Sequence, residues 1–298
     1  MNRVEYICTE QDRDMRLEKV LLRRMKLSSG SIRSLKFSSG ILLDGLPTHT
    51  DRKVFPGQRV TALFEDTPHS RPEPLSIPLS IPWQDDQLMV VEKPAPLASI
   101  RSSSQEGLTL ENAIYAYLGC PEDFIYRPVN RLDKGTSGLM VIARNAYIQQ
   151  RMQSLLHTDS FIRRYIAVTD GAPKQDAGVI SLPIAVREGS VKRFIDESGK
   201  ASETLYRVLS RQKDHACLQL TLRTGRTHQI RVHLAALGCP VTGDHLYGKE
   251  HPAFPGRFAL HSAYLSFTHP LTGEKLTFES TPPFLSFISG DNVPNGSY

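Results

Sequence analysis

Residues 127–145 read RPVNRLDKGTSGLMVIARN, and this stretch decides how the fold is interpreted. It places charged and polar side chains directly before two glycines and an apolar run at residues 139–143. Such a run is typical of a buried strand. In an extended chain Arg131 and Asp133 lie on one side and Leu132 on the other. The pattern therefore puts one carboxylate among cations at the edge of a sheet.

The position of Asp133 has two interpretations. Nearby positive charge favours the ionised carboxylate, which can act as a nucleophile or a base when it is partly desolvated. The alternative is a salt bridge that only fixes a loop. Residues 131–138 by themselves favour the structural role.

The composition indicates a globular protein of the reducing cytoplasm. The chain has 298 residues and is 40% hydrophobic, which is enough for a sizeable core. Its four cysteines form no CxxC pair, so the sequence suggests neither a zinc knuckle nor a disulfide framework. The first residues lack the order of a signal peptide, and no apolar run approaches the roughly 20 residues that span a bilayer. We expect a cytoplasmic location and no membrane contact.

Positive charge is concentrated near the N-terminus. From Arg13 to Arg59 there are 11 Lys+Arg against 4 Asp+Glu, a net +7, whereas the whole chain carries +5. The remainder is therefore −2. A basic module suits a polyanion such as nucleic acid, and its alternative is a solvated surface that aids solubility. The cations that we expect to contact RNA are Arg16, Lys19, Arg23, Arg24, Arg33 and Lys36.

The basic segment has the pattern of a small α+β domain. Apolar residues at helical spacing predict an amphipathic helix at residues 14–27, and Ser31 is the expected cap of a second short helix. The Asp44-Gly45 pair predicts a hairpin turn, and residues 59–64 follow as a strand. We expect residues 1–66 to form an autonomous domain.

Proline-rich residues 67–80 are predicted to be an extended linker, and residues 81–290 a second domain. Residues 291–298 are predicted to be a disordered tail. The second domain is rich in strand patterns and has two clear helical patterns, near residues 110–118 and 146–156. The predicted strands are residues 88–92, 139–143, 165–169, 179–182, 203–209, 217–222, 259–267 and 275–279. The strands do not alternate regularly with helices, which favours an α+β fold with a mixed, largely antiparallel sheet.

A second polar group lies in LRTGRTHQIRVHLAALGCPVTGDHLYG, residues 222–248. Thr227 is the expected cap of a helix that Gly238 closes, and Arg226 stands at the junction where a side chain can project into a cleft. His228 and His233 are five residues apart, about 140° around a helix, which does not suit a metal site. Arg226 could bind phosphate or pair with a carboxylate.

Other chemistries fit the sequence poorly. It has no GxxxxGK loop or GxGxxG fingerprint for a nucleotide cofactor, and no clustered carboxylates of a metal-dependent nuclease. Cys120 and Cys239 are more often buried spectators than nucleophiles. Tyr165, next to Arg163 and Arg164, could stack on a base, although a core tyrosine is the commoner case.

Taken together, RPVNRLDKGTSGLMVIARN, FIRRYIAV and LRTGRTHQIRVHLAALGCPVTGDHLYG resemble the three ordered motifs of the RNA pseudouridine synthases that act on ribosomal and transfer RNA. The resemblance runs from about residue 81 to residue 287. The N-terminal segment is similar, over a shorter stretch, to the alpha-L RNA-binding domain that often precedes that catalytic domain.

The resemblance implies a role for particular residues. Asp133 would be the nucleophile, Arg226 the cation that pairs with it, and Tyr165 the ring that stacks on the uracil. Arg131 would help to hold the base out of its stack. The remaining candidates for substrate binding are Asn130, Arg164, Ile230 and Arg231. No metal and no organic cofactor is expected.

The sequence departs from the family motifs at two positions, and one alternative function remains. Asn130 replaces the family's usual histidine, and Arg163 replaces a lysine that is common there. The alternative function is a non-catalytic RNA-binding or ribosome-assembly factor on the same fold. The expected partner is ribosomal RNA, with transfer RNA as the second choice, and the expected oligomeric state is a monomer.

Overall fold

The computed structural model describes residues 2–64, 71–101 and 107–285. The predicted tail at residues 291–298 and the first part of the predicted linker lie outside these ranges. Residues 71–79 contain no helix or strand and run along a helix of the second domain. There, the Leu75 amide donates to Asn112 O at 3.1 Å, and Asn112 Nδ2 donates to Glu73 O at 2.7 Å.

The N-terminal residues form a four-stranded antiparallel sheet and two short helices. The strands are β1 (Asn2–Ile7), β2 (Ile41–Leu43), β3 (Leu46–Pro47) and β4 (Arg59–Phe64), in the order β1-β4-β2-β3. The helices are α1 (Leu17–Arg23) and α2 (Ser29–Phe37). Strand β1 had no counterpart in the sequence predictions. The cap of α2 is Ser28, whose Oγ accepts from the Ser31 amide at 3.0 Å, so the assignment of the cap to Ser31 was wrong.

The second part of the chain is built on a nine-stranded sheet. Its central strands are β6 (Leu88–Lys93), β7 (Ser137–Ala143), β8 (Phe161–Asp170), β13 (His215–Leu222) and β14 (Leu260–Thr268). Its outer strands are β5 (Ser80–Gln84), β9 (Ala177–Ser181), β12 (Glu203–Arg211) and β15 (Lys275–Glu279). The order is β5-β6-β7-β14-β8-β13-β12-β9, with β15 beside β14. Only β7 and β14 run parallel, so the predicted mixed, largely antiparallel sheet is confirmed.

Three helices and a separate hairpin complete the domain. The helices are α3 (Leu110–Tyr117), α4 (Ala146–Leu155) and α5 (Gln229–Ala236). The hairpin consists of β10 (Ile184–Val186) and β11 (Arg193–Ile195). Helix α5 begins after His228, which has a left-handed backbone with φ 59° and makes no side-chain cap bond. Thr227 is therefore not the cap that the sequence suggested.

The N-terminal sheet and the large sheet share one hydrophobic core. The Phe64 and Tyr147 rings lie 6.0 Å apart between centroids, and both belong to the same cluster of buried side chains. The Gln150 side chain of α4 donates to Lys26 O at 2.8 Å, which ties the helix to the end of α1. This shared core contradicts the expectation of an autonomous N-terminal domain, because its removal would expose the apolar side of α4.

Of the helices in the described ranges, none has the length and apolar character needed to cross a membrane.

Candidate active site

Asp133 lies in the loop that leads into β7, and several hydrogen bonds fix this loop. Asp133 O accepts from the Thr136 amide at 3.0 Å. Ser99 Oγ accepts from the Leu132 amide at 3.0 Å and donates to Leu132 O at 2.6 Å. Leu132 itself is buried, whereas the Asp133 side chain is 24% exposed. The loop therefore presents the carboxylate at the surface of the core, as the alternation in the sequence predicted.

The cation that contacts Asp133 is Arg231, in the first turn of α5. Arg231 Nη1 donates to Asp133 Oδ2 at 3.0 Å, and Nε and Nη2 donate to the two oxygens of Asp244 at 2.6 and 2.7 Å. The Arg231 side chain is 4% exposed, and that of Asp244 is fully buried. Its guanidinium carbon lies 4.3 Å from the Phe258 ring centroid and 5.1 Å from that of Tyr247. A bidentate pair of this kind fixes the plane of the guanidinium as well as its charge.

The charge of Arg231 is stabilised despite its burial. Burial by itself lowers the pKa of Arg231, but the hydrogen bonds and negative charges of Asp244 and Asp133 outweigh it and raise that pKa above its ordinary value. Arg231 is therefore a permanent positive charge beside the Asp133 carboxylate.

A buried lysine supports the same loop from the other side. Lys93, at the end of β6, is 0% exposed, and its Nζ donates to Leu97 O at 2.6 Å and to Pro94 O at 3.0 Å. A longer bond of 3.4 Å reaches Lys134 O, directly after Asp133. Burial lowers the pKa of Lys93 to about 7, and the negative charge of Asp133 acts in the opposite direction. Lys93 thus joins two loops at the base of the site.

His228 and Tyr247 border Asp133 next to Arg231. His228 Nε2 lies 4.0 Å from Asp133 Oδ2, and His228 Nδ1 lies 2.9 Å from the Tyr247 hydroxyl. That hydroxyl also accepts from the backbone amide of Arg193 at 2.7 Å, which connects the site to the β10–β11 hairpin. A single carboxylate with a buried arginine and a neighbouring histidine is suited to nucleophilic or acid–base chemistry.

Comparison with known proteins decides between these chemistries. Residues 87–236, which contain Asp133 and Arg231, match the family model described as RNA pseudouridylate synthase. The chain belongs to the RNA pseudouridylate synthase family. It is therefore an isomerase that converts uridine in RNA to pseudouridine.

Individual relatives agree with this assignment. The synthase is 32% identical to the ribosomal large subunit pseudouridine synthase D of Zymomonas mobilis subsp. mobilis (strain ATCC 31821 / ZM4 / CP4), over 92% of each chain. It is 30% identical to the uncharacterized RNA pseudouridine synthase YlyB of Bacillus subtilis (strain 168), over 95% of each chain. Among solved structures it resembles human RNA pseudouridylate synthase domain containing 1, with a TM-score of 0.58 and 27% identity. That match covers 72% of this chain and 89% of the human one.

The structure corrects the predicted partner of Asp133. The synthase has Arg226 before α5 with its side chain exposed, and Arg226 Nε donates to Ala201 O at 3.3 Å. The hydrogen bond and the close ion pair to Asp133 come from Arg231, five residues later, which the sequence had suggested only as a substrate-binding residue. Helix α5 begins at Gln229, so Arg226 lies before the helix and Arg231 lies in its first turn, where it contacts the carboxylate.

Asn130 has a different role from the one predicted. Its side chain is buried, and its Oδ1 accepts from the Val141 amide of β7 at 2.9 Å. Its Nδ2 has no hydrogen-bond partner among the described residues. Asn130 therefore holds the strand that follows the loop, and the structure gives no support to direct contact with substrate.

Of the other predicted substrate-binding residues, Tyr165 and Ile230 lie in the core beneath the site, whereas Arg164 alternates with Tyr165 on β8 and lies on the opposite face of the sheet, which contradicts its predicted role. Tyr165 is 3% exposed and packs in one cluster with Ile230, which is also buried. Burial raises the pKa of Tyr165. The guanidinium carbon of Arg164 lies 4.5 Å from the Tyr264 ring centroid, and Arg131 is exposed beside Asp133. The ring of Tyr165 is thus part of the floor beneath the site rather than an open stacking surface.

Two of the six predicted RNA-binding cations have other partners. Arg24 Nε donates to Asp12 Oδ1, a fully buried carboxylate, at 2.7 Å, and Lys36 Nζ contacts Glu18 at 3.3 Å. Arg16, Lys19 and Arg23 instead line one groove, together with Arg13 and Lys53. Arg33 is exposed on α2.

The sequence predictions missed Lys93, His228, Asp244 and Tyr247 as parts of the site. The last three lie within residues 222–248, which the sequence had singled out, but no local pattern assigned them a role. Lys93 stands at the end of an apolar strand, where a lysine is unusual enough to serve as a signal. Across the described ranges, no three His, Cys, Asp or Glu residues are grouped so that they could hold a metal ion.

Proposed function

We propose that this synthase modifies uridines of large-subunit ribosomal RNA and that Asp133 is its nucleophile. The choice of ribosomal RNA is supported by the relative from Zymomonas mobilis, whose name specifies the large ribosomal subunit. The choice of Asp133 rests on one observation, the ion pair between its carboxylate and the buried Arg231. Asp244 shares that arginine but is fully buried, which leaves Asp133 as the carboxylate that substrate can reach.

The reaction needs one nucleophile and rearranges atoms within one nucleotide. Asp133 attacks the extruded uridine at the base or at C1′ of the sugar, and the bond between N1 and C1′ breaks. The uracil then rotates and C5 forms the new bond to C1′. The bond between Asp133 and the nucleotide breaks, which returns the free carboxylate, C5 loses a proton and N1 gains one. Arg231 offsets the charge of the carboxylate before the attack. No electrons leave the nucleotide, so the atoms and charges balance.

Extruding the base from its stack costs a few kcal/mol, which contacts in the site must offset. Arg131 is exposed beside Asp133, where a guanidinium can contact the flanking phosphates or occupy the vacated stack. Tyr165 is buried beneath the site, where its ring would support the base from below. We also propose that the synthase acts as a monomer.

The variant Asp133→Asn tests the nucleophile. It preserves the shape and one oxygen but removes the negative charge, so we expect no detectable pseudouridine and a dissociation constant for RNA within about threefold of wild type. Purified protein and a transcribed large-subunit fragment are the reagents, and mass spectrometry of nucleosides is the readout. Asp176→Asn is the matched control, because that side chain is 86% exposed and pairs only with Arg211 at the surface. Full activity of Asp133→Asn would refute the assignment.

Site mapping of pseudouridine in total RNA tests the substrate. Cells with and without the gene are compared, and the deletion is complemented with wild type or with Asp133→Ala. We expect one or more large-subunit sites to disappear and to return only with wild type. Loss confined to transfer RNA would overturn the choice of ribosomal RNA. An unchanged map, with no activity of purified protein, would favour a non-catalytic RNA-binding factor.

We further propose that the N-terminal unit, residues 1–66, binds RNA and that residues 81–290 carry catalysis. From residue 2 to residue 64 there are 12 Lys+Arg against 7 Asp+Glu, a net +5, so the rest of the chain is neutral. The groove lined by Arg16, Lys19 and Arg23 concentrates part of this charge on one face. Such a groove suits the sugar–phosphate backbone, whose binding is sequence-independent and salt-dependent.

Neutralising the groove is a sharper test than deleting the unit, because deletion would expose the shared core. In Arg16→Gln/Lys19→Gln/Arg23→Gln we expect the slope of log affinity against log salt to fall by about 2, from roughly 0.7 per lost contact. The control Lys174→Gln/Arg207→Gln/Lys213→Gln changes net charge equally at exposed positions near the far edge of the sheet. Equal slopes for the two triple variants would mean that the groove does not touch phosphate.

A further inference from the structure

His228 stands out because its backbone is unfavourable for its residue type. Its φ is 59°, in the left-handed region that is unfavourable for a residue with a side chain and accessible to glycine. Residues held in this region often mark functional sites. Here the conformation directs the imidazole to a place between Tyr247 and Asp133, at 2.9 Å and 4.0 Å.

The hydrogen bonds of Tyr247 favour one of the two neutral tautomers of His228. The backbone amide of Arg193 can only donate, and it reaches the Tyr247 hydroxyl oxygen at 2.7 Å. The phenolic hydrogen is then available for Nδ1 of His228, the acceptor at 2.9 Å. A neutral imidazole that accepts at Nδ1 carries its hydrogen on Nε2. Nε2 lies 4.0 Å from Asp133 Oδ2.

The surroundings of His228 favour its neutral form. Burial lowers its pKa, and the positive charges of Arg231 and Arg193 act in the same direction. The negative charges of Asp133 and Asp244 act against them but do not reverse the shift. Lys192 also lies near, with its Nζ 5.3 Å from the Tyr247 ring centroid. His228 is therefore a fixed donor at neutral pH rather than a second cation.

Arg231 and His228 both lie next to the same oxygen of the Asp133 carboxylate, Oδ2. Arg231 Nη1 donates to Oδ2 of Asp133, and His228 Nε2 faces that atom as well. Among the described residues no hydrogen bond is found to Oδ1. Catalytic contacts are often long before substrate binds and tighten in the complex, so a separation of 4.0 Å is compatible with a hydrogen bond formed on binding.

We propose that His228, held by Tyr247, is a positioning residue that turns the Asp133 carboxylate so that Oδ1 is the attacking oxygen. The inference rests on the proposed role of Asp133 as nucleophile. In this proposal the Tyr247–His228 pair orients the Asp133 carboxylate, and Arg231 offsets the negative charge of that carboxylate. Small misplacements of a reacting atom can cost about 10²-fold in rate.

His228→Gly is the decisive variant, since glycine accepts the left-handed backbone and leaves room for added imidazole. We expect its single-turnover rate to fall by about 10²-fold, while the dissociation constant for RNA stays within about threefold. Imidazole at tens of millimolar should restore the rate at least tenfold, and the restored rate should rise with pH as imidazole becomes neutral. Imidazole should not change the rate of wild type.

Tyr247→Phe tests the tautomer separately, because the ring remains and only the hydroxyl is lost. We expect a fall of about tenfold in the single-turnover rate that imidazole does not restore. A rate of His228→Gly within twofold of wild type would overturn the inference and leave the nucleophile untouched, provided that Asp133→Asn is inactive. Loss of activity without any rescue by imidazole would show a purely structural role. Activity in Asp133→Asn would instead defeat the proposed function.

Discussion

The buried triad of Asp133, Arg231 and Asp244 offers the strongest test of how this site is held together. In the variant Asp244→Leu the guanidinium loses both of its short hydrogen bonds, at 2.6 and 2.7 Å, and keeps only the bond to Asp133. Removing one partner of a buried ion pair costs about 3–5 kcal/mol, because the remaining charge is uncompensated. Since Asp133 still neutralises part of that charge, we expect the lower limit, about 3 kcal/mol.

The assay is equilibrium unfolding of a double-mutant cycle. Asp244→Leu and Arg231→Met are each expected to destabilise by about 3 kcal/mol, a decrease of about 6–12 °C in melting temperature. The double variant should lose much less than the sum, since an apolar pair of similar volume leaves no buried charge. It should nevertheless be inactive, because Asp133 has lost its counter-cation.

An exposed pair provides the control for this cycle. Arg211 and Asp176 are 2.7 Å apart, but their side chains are 38% and 86% exposed. Exposed pairs contribute about 0–1 kcal/mol, so Arg211→Met and Asp176→Leu should show little coupling. If the two cycles gave the same coupling energy, or if the losses at Arg231 and Asp244 were additive, the argument from burial would be refuted.

Two further predictions concern the packing beneath the site. In a denaturant titration, Gly138→Ala should destabilise the fold by about 3 kcal/mol or more, because φ is 108° and a Cβ would lie 2.4 Å from Ser262 O. The control is Gly273→Ala, where φ is 75° and the space around a Cβ is open, and it should cost only about 1–2 kcal/mol. Burial lowers the pKa of His261 to about 4 in the folded protein. Between about pH 6.5 and 4 the unfolded chain therefore binds more protons than the folded protein, so the free energy of unfolding decreases as the pH falls. Wild type should lose about 2 kcal/mol more than His261→Gln between pH 7 and 5, and equal losses would mean that His261 is not the group responsible.

The position of the N-terminal unit also bears on function. Tyr147 and Gln150 of α4 contact residues at the end of α1, and α4 in turn follows β7, the strand that begins beside Asp133. The N-terminal unit is therefore packed against the catalytic sheet rather than loosely tethered to it. Under the proposed function, RNA bound in the N-terminal groove would be held at a fixed position relative to Asp133, which would limit the uridines that can reach it.

The sequence by itself predicted the α+β class and the strands of the large sheet except β5, and the resemblance of its motifs made Asp133 the nucleophile candidate. Period-two alternation, the Asp44-Gly45 turn and the motif around Asp133 are local properties, and local properties can be read from a chain. The sequence also indicated the block, residues 222–248, from which the partner of Asp133 comes.

Only the tertiary structure decided which arginine of that block meets the carboxylate. Asp133 and Arg231 are 98 residues apart, and their contact depends on how α5 is set against the loop before β7. Arg226 is exposed before α5, whereas Arg231 is buried in its first turn. Asp244 and Tyr247 acquire a role only because they pack around that arginine. The chemistry of single residues is therefore visible in the sequence, whereas pairing between distant residues follows from packing that no local pattern specifies.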